Sequence, residues 1–194
     1  RSVVLIIVRH GRTAANAKGL LQGRVDNPLD SQGLEQAERI RGALGSIDVV
    51  VSSPLQRAIQ TAEPLGLPCR VDERWIELDY GEWDEKPVGE ITKEQWTRWR
   101  GDSSFAPPGG ESLDSLDRRV GEACDELLPE AEDLNIAIFT HVSPIKSAVS
   151  WVLGAEKQIS WSLNVGQAQI TRIAIRQGRP VLVSFNETWH LSGS

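Results

Sequence analysis

Methionine is absent from this chain of 194 residues, cysteine occurs twice and histidine three times. With no methionine and with Arg1 first, the start codon lies outside the sequence, as in a trimmed protein or one domain of a longer chain. Cys69 and Cys124 stand far apart and form no C-x-x-C pair, which excludes a redox motif or a cysteine-based metal site and fits a reducing, cytoplasmic setting. His10, His141 and His190 fall in no ligand spacing, so no metal and no other cofactor is expected. Positive charge is also short. A net charge of −6 argues against nucleic acid as a partner, because nonspecific binding needs a broad basic surface. Long apolar runs are missing too: Val3 to Val8 is too short to cross a bilayer and is followed at once by Arg9, His10 and Arg12, so no membrane span is expected. No secretory leader is recognisable.

What is present suits one α/β domain over residues 1–194, with enough chain to bury a core and shape a pocket. Val3-Val-Leu-Ile-Ile-Val8 reads as a strand buried on both faces. Leu34, Ala37, Ile40 or Arg41, and Leu44 recur at helical spacing from Asp30 or Ser31, with Gly45 as the stop. Asp48 to Val51 is a second strand, after which Ser53-Pro54 predicts an N-cap with proline at the first helical position and Arg57 one turn inside. Arg70 to Leu78 has mixed strand character and leads into a turn at Asp79 to Glu82. Asp84 to Glu111 reads as an insertion with a short helix near Thr92 to Arg100. Leu113 to Leu127 is amphipathic and ends near Pro129. Asn135 to Thr140 is a strand, and Ser143-Pro144 repeats the cap-plus-proline start for a helix reaching Gly154. Gln167 to Arg176 and Pro180 to Phe185 alternate as a hairpin around Gln177-Gly178. Alternating strands and helices predict a mainly parallel central sheet with helices on both faces, and ligands then bind outside the carboxyl ends of the strands. His10 and His141 each directly follow a strand, and Arg57 lies just past a third.

The segment Leu5-Ile-Ile-Val-Arg-His-Gly-Arg-Thr-Ala-Ala-Asn16 resembles the R-H-G-x-T-x-x-N signature of the histidine phosphatase superfamily, which includes phosphoglycerate mutases and many phosphatases. The resemblance continues in order through Gln22-Gly23, Asn27-Pro28-Leu29, Gly33, Gln36-Ala37, Ser52-Ser53-Pro54-Leu55-Gln56-Arg57-Ala58, Thr61-Ala62, Trp75 to Trp83, Gly109-Gly110-Glu111-Ser112 and Thr140-His141. It implies His10 as nucleophile and Glu77 as general acid. It also implies Arg9, Arg57 and His141 as catalytic groups on the phosphoryl oxygens, with Asn16, Gln22, Gly23 and Val142 completing the substrate-binding set.

The chemistry requires such residues. A phosphate monoester repels nucleophiles, so fixed positive charge must meet its oxygens, and arginine supplies a planar, permanently charged fork. An attacking imidazole must keep its lone pair, and a departing alkoxide needs a proton as its bond breaks. Taken singly, each residue has a plainer role: His10 as a satisfied structural histidine, Arg57 as solvated surface, Glu77 as part of an acidic turn beside Asp79 and Glu82. Thr13 and Ser53 read first as turn and cap residues, Trp96 and Trp99 as core or lid packing, and His190 as surface or packing.

Where many superfamily members have H-G-G, this chain has His141-Val142-Ser143-Pro144, and H-V-S-P-I-K resembles an α-ribazole phosphatase-like subgroup. The expected activity is hydrolysis of a small phosphorylated metabolite. The alternatives are phosphoglycerate mutase-type transfer, disfavoured because Asp84 to Glu111 lacks a long basic insertion, and a catalytically silent module binding phosphorylated ligands. Oligomeric state is open. Specificity is expected from the Gln22 to Asn27 loop and the Asp84 to Glu111 insertion.

Overall fold

The computed structural model describes residues 4–192, apart from the side chains at 157 and 158; Val3 and Arg1, the expected first strand residue and the chain start, lie outside the described residues. Six strands, β1 (Val4–Arg9), β2 (Val49–Ser52), β3 (Cys69–Val71), β4 (Ile136–Thr140), β5 (Ile170–Arg176) and β6 (Arg179–Glu187), form one sheet in the order β3-β2-β4-β1-β5-β6. The first four are parallel, while β5 runs antiparallel to β1 and pairs with β6 as the expected hairpin. Among the described residues no helix is long and apolar enough to cross a membrane.

The strand period of two sends alternate side chains to opposite faces. Leu5, Ile7, Val51, Ile136 and Ile138 pack with Leu116, Val120 and Leu127 of the helix α5 (Leu113–Leu127) and with Ile145 and Ala148 of α6 (Val142–Leu153). Ile6, Val8, Val50, Ala137 and Phe139 face the other way, onto Ile40 and Leu44 of α2 (Ser31–Leu44) and Ala58 and Ala62 of α3 (Gln56–Ala62). Each fully buried aliphatic side chain contributes about 1.5–3 kcal/mol. The continuous apolar runs in the sequence therefore reflect a sheet covered on both faces.

Local chemistry sets the helix ends. Asp30 caps α2 by accepting from Gly33 N at 2.8 Å, and Gly45 (φ +76°) ends the helix. Thr13 and Asn16 form a capping box on the short α1 (Ala14–Ala17), and Thr92 and Gln95 form one on α4 (Lys93–Gly101), the helix expected inside the insertion. Two expected starts differ. α3 begins at Gln56 rather than Pro54, because its cap is non-local: Gln56 N donates to Asp26 Oδ1 at 2.7 Å, and the Ser53 hydroxyl is drawn toward His141. α6 begins one residue before Ser143, with His141 at the N-cap and Pro144 still in the first turn, where a missing N–H leaves no bond unmade. The mixed stretch Arg70 to Leu78 keeps only β3 as strand, followed by a 3₁₀ turn at Glu73–Trp75.

The turn after β1 is pressed against the start of α2. A Cβ on Gly11 would lie 2.5 Å from Gly33 O, and one on Gly33 would lie 2.1 Å from Arg12 O. Only glycine at both positions allows this approach, which fixes the path of the chain leaving His10.

Candidate active site

Sheet register assembles the site. Arg9 pairs with Thr140 across β1 and β4, so His10 and His141 leave adjacent strands at the same level, with ring centroids 5.1 Å apart. Ser52 pairs with Phe139, which brings Ser53 beside them, and His141 Nε2 lies 2.7 Å from Ser53 Oγ. Residues 88 positions apart in sequence thus share a hydrogen bond. Ser53 is therefore a site residue and not the helix cap that the sequence suggests.

His10 is only 3% exposed, and its Nδ1 lies 2.7 Å from the Gly11 carbonyl oxygen. A carbonyl oxygen only accepts, so Nδ1 carries the proton and Nε2 keeps its lone pair. Burial, reinforced by the charges of Arg57 and then Arg9, holds the His10 pKa well below the usual imidazole range. The ring is consequently neutral at neutral pH. Gly11 N donates to Thr61 Oγ1 at 3.0 Å, which ties the peptide between His10 and Gly11 to α3.

Arg57 is fully buried and is anchored by the 22–25 loop: Nη1 donates to Val25 O and Nη2 to Gly23 O, both at 2.7 Å. With its amide turned so that oxygen faces Arg57 Nε (2.6 Å) and nitrogen faces Thr13 Oγ1 (2.5 Å), Gln22 satisfies both neighbours. Burial lowers the Arg57 pKa to about 10, against the opposing influence of Glu77, Asp84 and Asp26, and the group stays cationic. Arg9 donates through Nη1 to Val165 O at 2.8 Å, and its buried Nε has no partner.

The loop that holds Arg57 is itself held by Asp84, which sequence reading passes over as the first residue of the insertion. Asp84 Oδ1 accepts from Gly23 N at 2.7 Å, and Oδ2 accepts from Arg24 N and Val25 N at 3.0 Å. A Cβ on Gly23 would meet Leu78 O and Tyr80 Cδ2 at 2.9 Å, so this glycine is wedged into place and serves through its carbonyl. Asp84→Ala should lower kcat/KM for a phosphate ester by about tenfold or more, since small displacements of a positioning group carry large rate penalties. Kinetics on the folded variant checks this, and unchanged kcat/KM would remove Asp84 from that role.

Glu77 is buried, whereas Asp79 is half-buried and caps Gly81 N at 2.9 Å, and Glu82 is exposed. Burial raises the Glu77 pKa, opposed by the N–H of Leu78 (2.6 Å to Oε1), by Ser143 and by Arg57. Its backbone is clamped from two sides. Arg119 donates to the carbonyls of Arg74 (2.6 Å), Ile76 (2.7 Å) and Glu77 (3.3 Å), and Arg24 Nε donates to Glu77 O at 3.0 Å. Glu111, from the G-E-S element, holds Arg119 through Nε at 2.8 Å and Nη2 at 2.9 Å.

His141 is fully buried, and burial followed by Arg57 and His10 keeps its pKa well below the usual range. The ring is accordingly neutral at neutral pH, with Nδ1 unpartnered. Asn16 lies at the edge with its Oδ1 occupied by Thr13 and by Gln167 Nε2 at 3.0 Å. Val142 is half-buried at the first position of α6. His190 stands apart, buried against Ala168 O at 2.9 Å, as a packing residue. Trp96 and Trp99 stack at 5.5 Å and join the core and its rim.

The family model of the histidine phosphatase superfamily (branch 1) matches residues 5–188. The chain is 31% identical to phosphoserine phosphatase 1 of Hydrogenobacter thermophilus, over 97% of this chain and 94% of that protein. It is 28% identical to the adenosylcobalamin/α-ribazole phosphatase of Escherichia coli, over 89% of this chain and 90% of that protein. A solved mutant phosphoserine phosphatase from Entamoeba histolytica, in complex with phosphoserine, superposes with a TM-score of 0.90 at 28% identity and covers 97% of this chain and 99% of that one. The chain spans about half the length, 49%, of mycobacterial relatives to which it is 34% identical. From residue 5 to residue 188, then, this chain belongs to the histidine phosphatase superfamily, branch 1.

Proposed function

We propose that this chain is a phosphomonoesterase of small phosphorylated metabolites, working through a phosphohistidine on His10. The observation that carries this reading is the His10 tautomer: with Nδ1 bonded to Gly11 O, the lone pair of Nε2 is free in a site that also contains Arg9, Arg57 and His141. Relatives named as phosphoserine and α-ribazole phosphatases support the same class of reaction without choosing between the substrates.

In the first step His10 Nε2 forms a bond to phosphorus while the ester P–O bond breaks, and Glu77 passes its proton to the departing oxygen. Arg9 and Arg57 receive the charge on the phosphoryl oxygens. A phosphate dianion favours the imidazolium of His141, opposing the burial that lowers its pKa, so His141 becomes a further donor. Asn16, Gln22 and the N–H of Val142 at the start of α6 complete the seat, and Gly23 acts through Arg57. In the second step Glu77 takes a proton from water as the water oxygen attacks phosphorus, the P–N bond breaks, and inorganic phosphate leaves with His10 restored. The steps need no metal, and the setting proposed for them is the cytoplasm.

Turnover of 4-nitrophenyl phosphate in excess chelator tests the proposal. Sustained release of phosphate is expected. Binding without turnover would mean a silent phospho-ligand module, phosphoryl exchange between phosphoglycerates without release would mean a mutase, and loss of activity restored by one added metal would overturn the metal-free steps.

A further inference from the structure

A cavity of about 150 Å³ opens beside the candidate phosphate seat between α4, α5 and α6. Tyr80, Val142 and Ser143 form one wall, and the N–H of Ser143 lies 3.5 Å from Glu77 Oε2, so the cavity adjoins the candidate general acid. Trp96, Trp99 and Trp161 form much of the outer wall, with Trp161 set edge-on to Trp99 at 5.2 Å and 81°.

Lys146 of α6 also lines the cavity, and it has no ion-pair partner among the described residues. Asp117, the carboxylate in the same lining, accepts from Ser147 Oγ. Burial lowers the Lys146 pKa, Glu77 opposes that shift and Arg9 adds to it. Trp99, 4% exposed, adds an indole N–H with no hydrogen-bond partner. An apolar ligand would leave the Lys146 ammonium in the cavity without a counterion.

We propose that the cavity receives the part of the substrate beyond the phosphoester oxygen and that Lys146 binds a carboxylate there, so that the chain selects small phosphorylated carboxylic acids. The proposal rests on the phosphatase reading above. The volume suits a short acid, since a cavity of about 150 Å³ accommodates a single benzene ring. The apolar tryptophan walls lower the local polarity and so strengthen the ammonium–carboxylate contact.

Two matched substrate pairs test it: 3-phosphoglycerate against glycerol 3-phosphate, and O-phosphoserine against phosphoethanolamine. Within each pair the carboxylate is the feature that is replaced or removed. The wild type should favour the carboxylated member in kcat/KM by about tenfold or more. Lys146→Met should cut that ratio by about ten- to a hundredfold, chiefly through KM of the carboxylated member, and Lys146→Arg should keep most of it. Lys146→Gln serves if the methionine variant does not fold. Equal use of both members by the wild type, or a ratio that neither neutral variant moves, would overturn the proposal while leaving the phosphatase reading intact. Absence of turnover of all four esters and of 4-nitrophenyl phosphate would overturn both.

Discussion

Arg57→Ala should lower kcat/KM by about two to four powers of ten, the range seen when a preorganised donor on a transferring phosphoryl group is removed. The argument starts from burial. A fully buried guanidinium that still carries its charge, with a pKa lowered to about 10, holds a cation in a low-dielectric site where it acts strongly on a dianion. Its orientation is fixed by the carbonyls of Gly23 and Val25, so little reorganisation accompanies the reaction. Deleting the side chain also leaves those carbonyls unbonded, at a stability cost of about 1–3 kcal/mol each where water cannot replace the donor. Arg57→Lys is therefore the informative companion. It keeps the charge but loses the fork, and it should recover only part of the rate. Single-turnover kinetics on variants shown by thermal unfolding to be folded makes the measurement, and near-wild-type rates in Arg57→Ala would show that this arginine only supports the loop.

Glu77→Gln should slow phosphoryl transfer from alkyl phosphates by about two powers of ten or more, and transfer from 4-nitrophenyl phosphate far less. An alkoxide needs the proton as it leaves, whereas 4-nitrophenolate does not. Burial raises the Glu77 pKa above the ordinary carboxylate value, which extends the pH range in which the acid holds its proton. For His10 the sign is opposite: its depressed pKa keeps the nucleophile unprotonated to well below the usual imidazole range. The rate of phosphoenzyme formation from an alkyl ester should thus fall as pH rises through the Glu77 pKa, and this alkaline limb should vanish in Glu77→Gln. Equal loss for both leaving groups in the first step would remove Glu77 from the acid role and direct attention to Asp79 and Glu82.

The central strands β1, β2 and β4 were legible because they are short, mostly apolar and β-branched runs, and a strand covered on both faces must read that way. The histidines were legible for a related reason: each stands one residue beyond such a run, and parallel register sets both at one edge. What escaped was non-local. Ser53-Pro54 has the local signature of a helix start, yet the cap of α3 comes from Asp26, 30 residues earlier, and the serine turns to His141. Asp84 looked like ordinary surface charge at a loop boundary, and its importance lies in three backbone N–H groups about 60 residues away. Lys146 was visible only as a letter in H-V-S-P-I-K, since a lysine on a helix is normally solvated and nothing local shows that the tryptophans of the insertion wall it in. Glu77 could be chosen over Asp79 and Glu82 by resemblance alone, and burial now separates the three.

The decisive measurement is chemical trapping of the phosphoenzyme. Wild-type protein mixed briefly with substrate and quenched in alkali should carry a phosphate that is stable to base and labile to acid, and peptide mapping should place it on His10 and nowhere else. His10→Ala should trap none. Phosphate on another residue, or direct transfer to water with inversion at phosphorus and no trapped species, would contradict the assignment of His10 as the nucleophile.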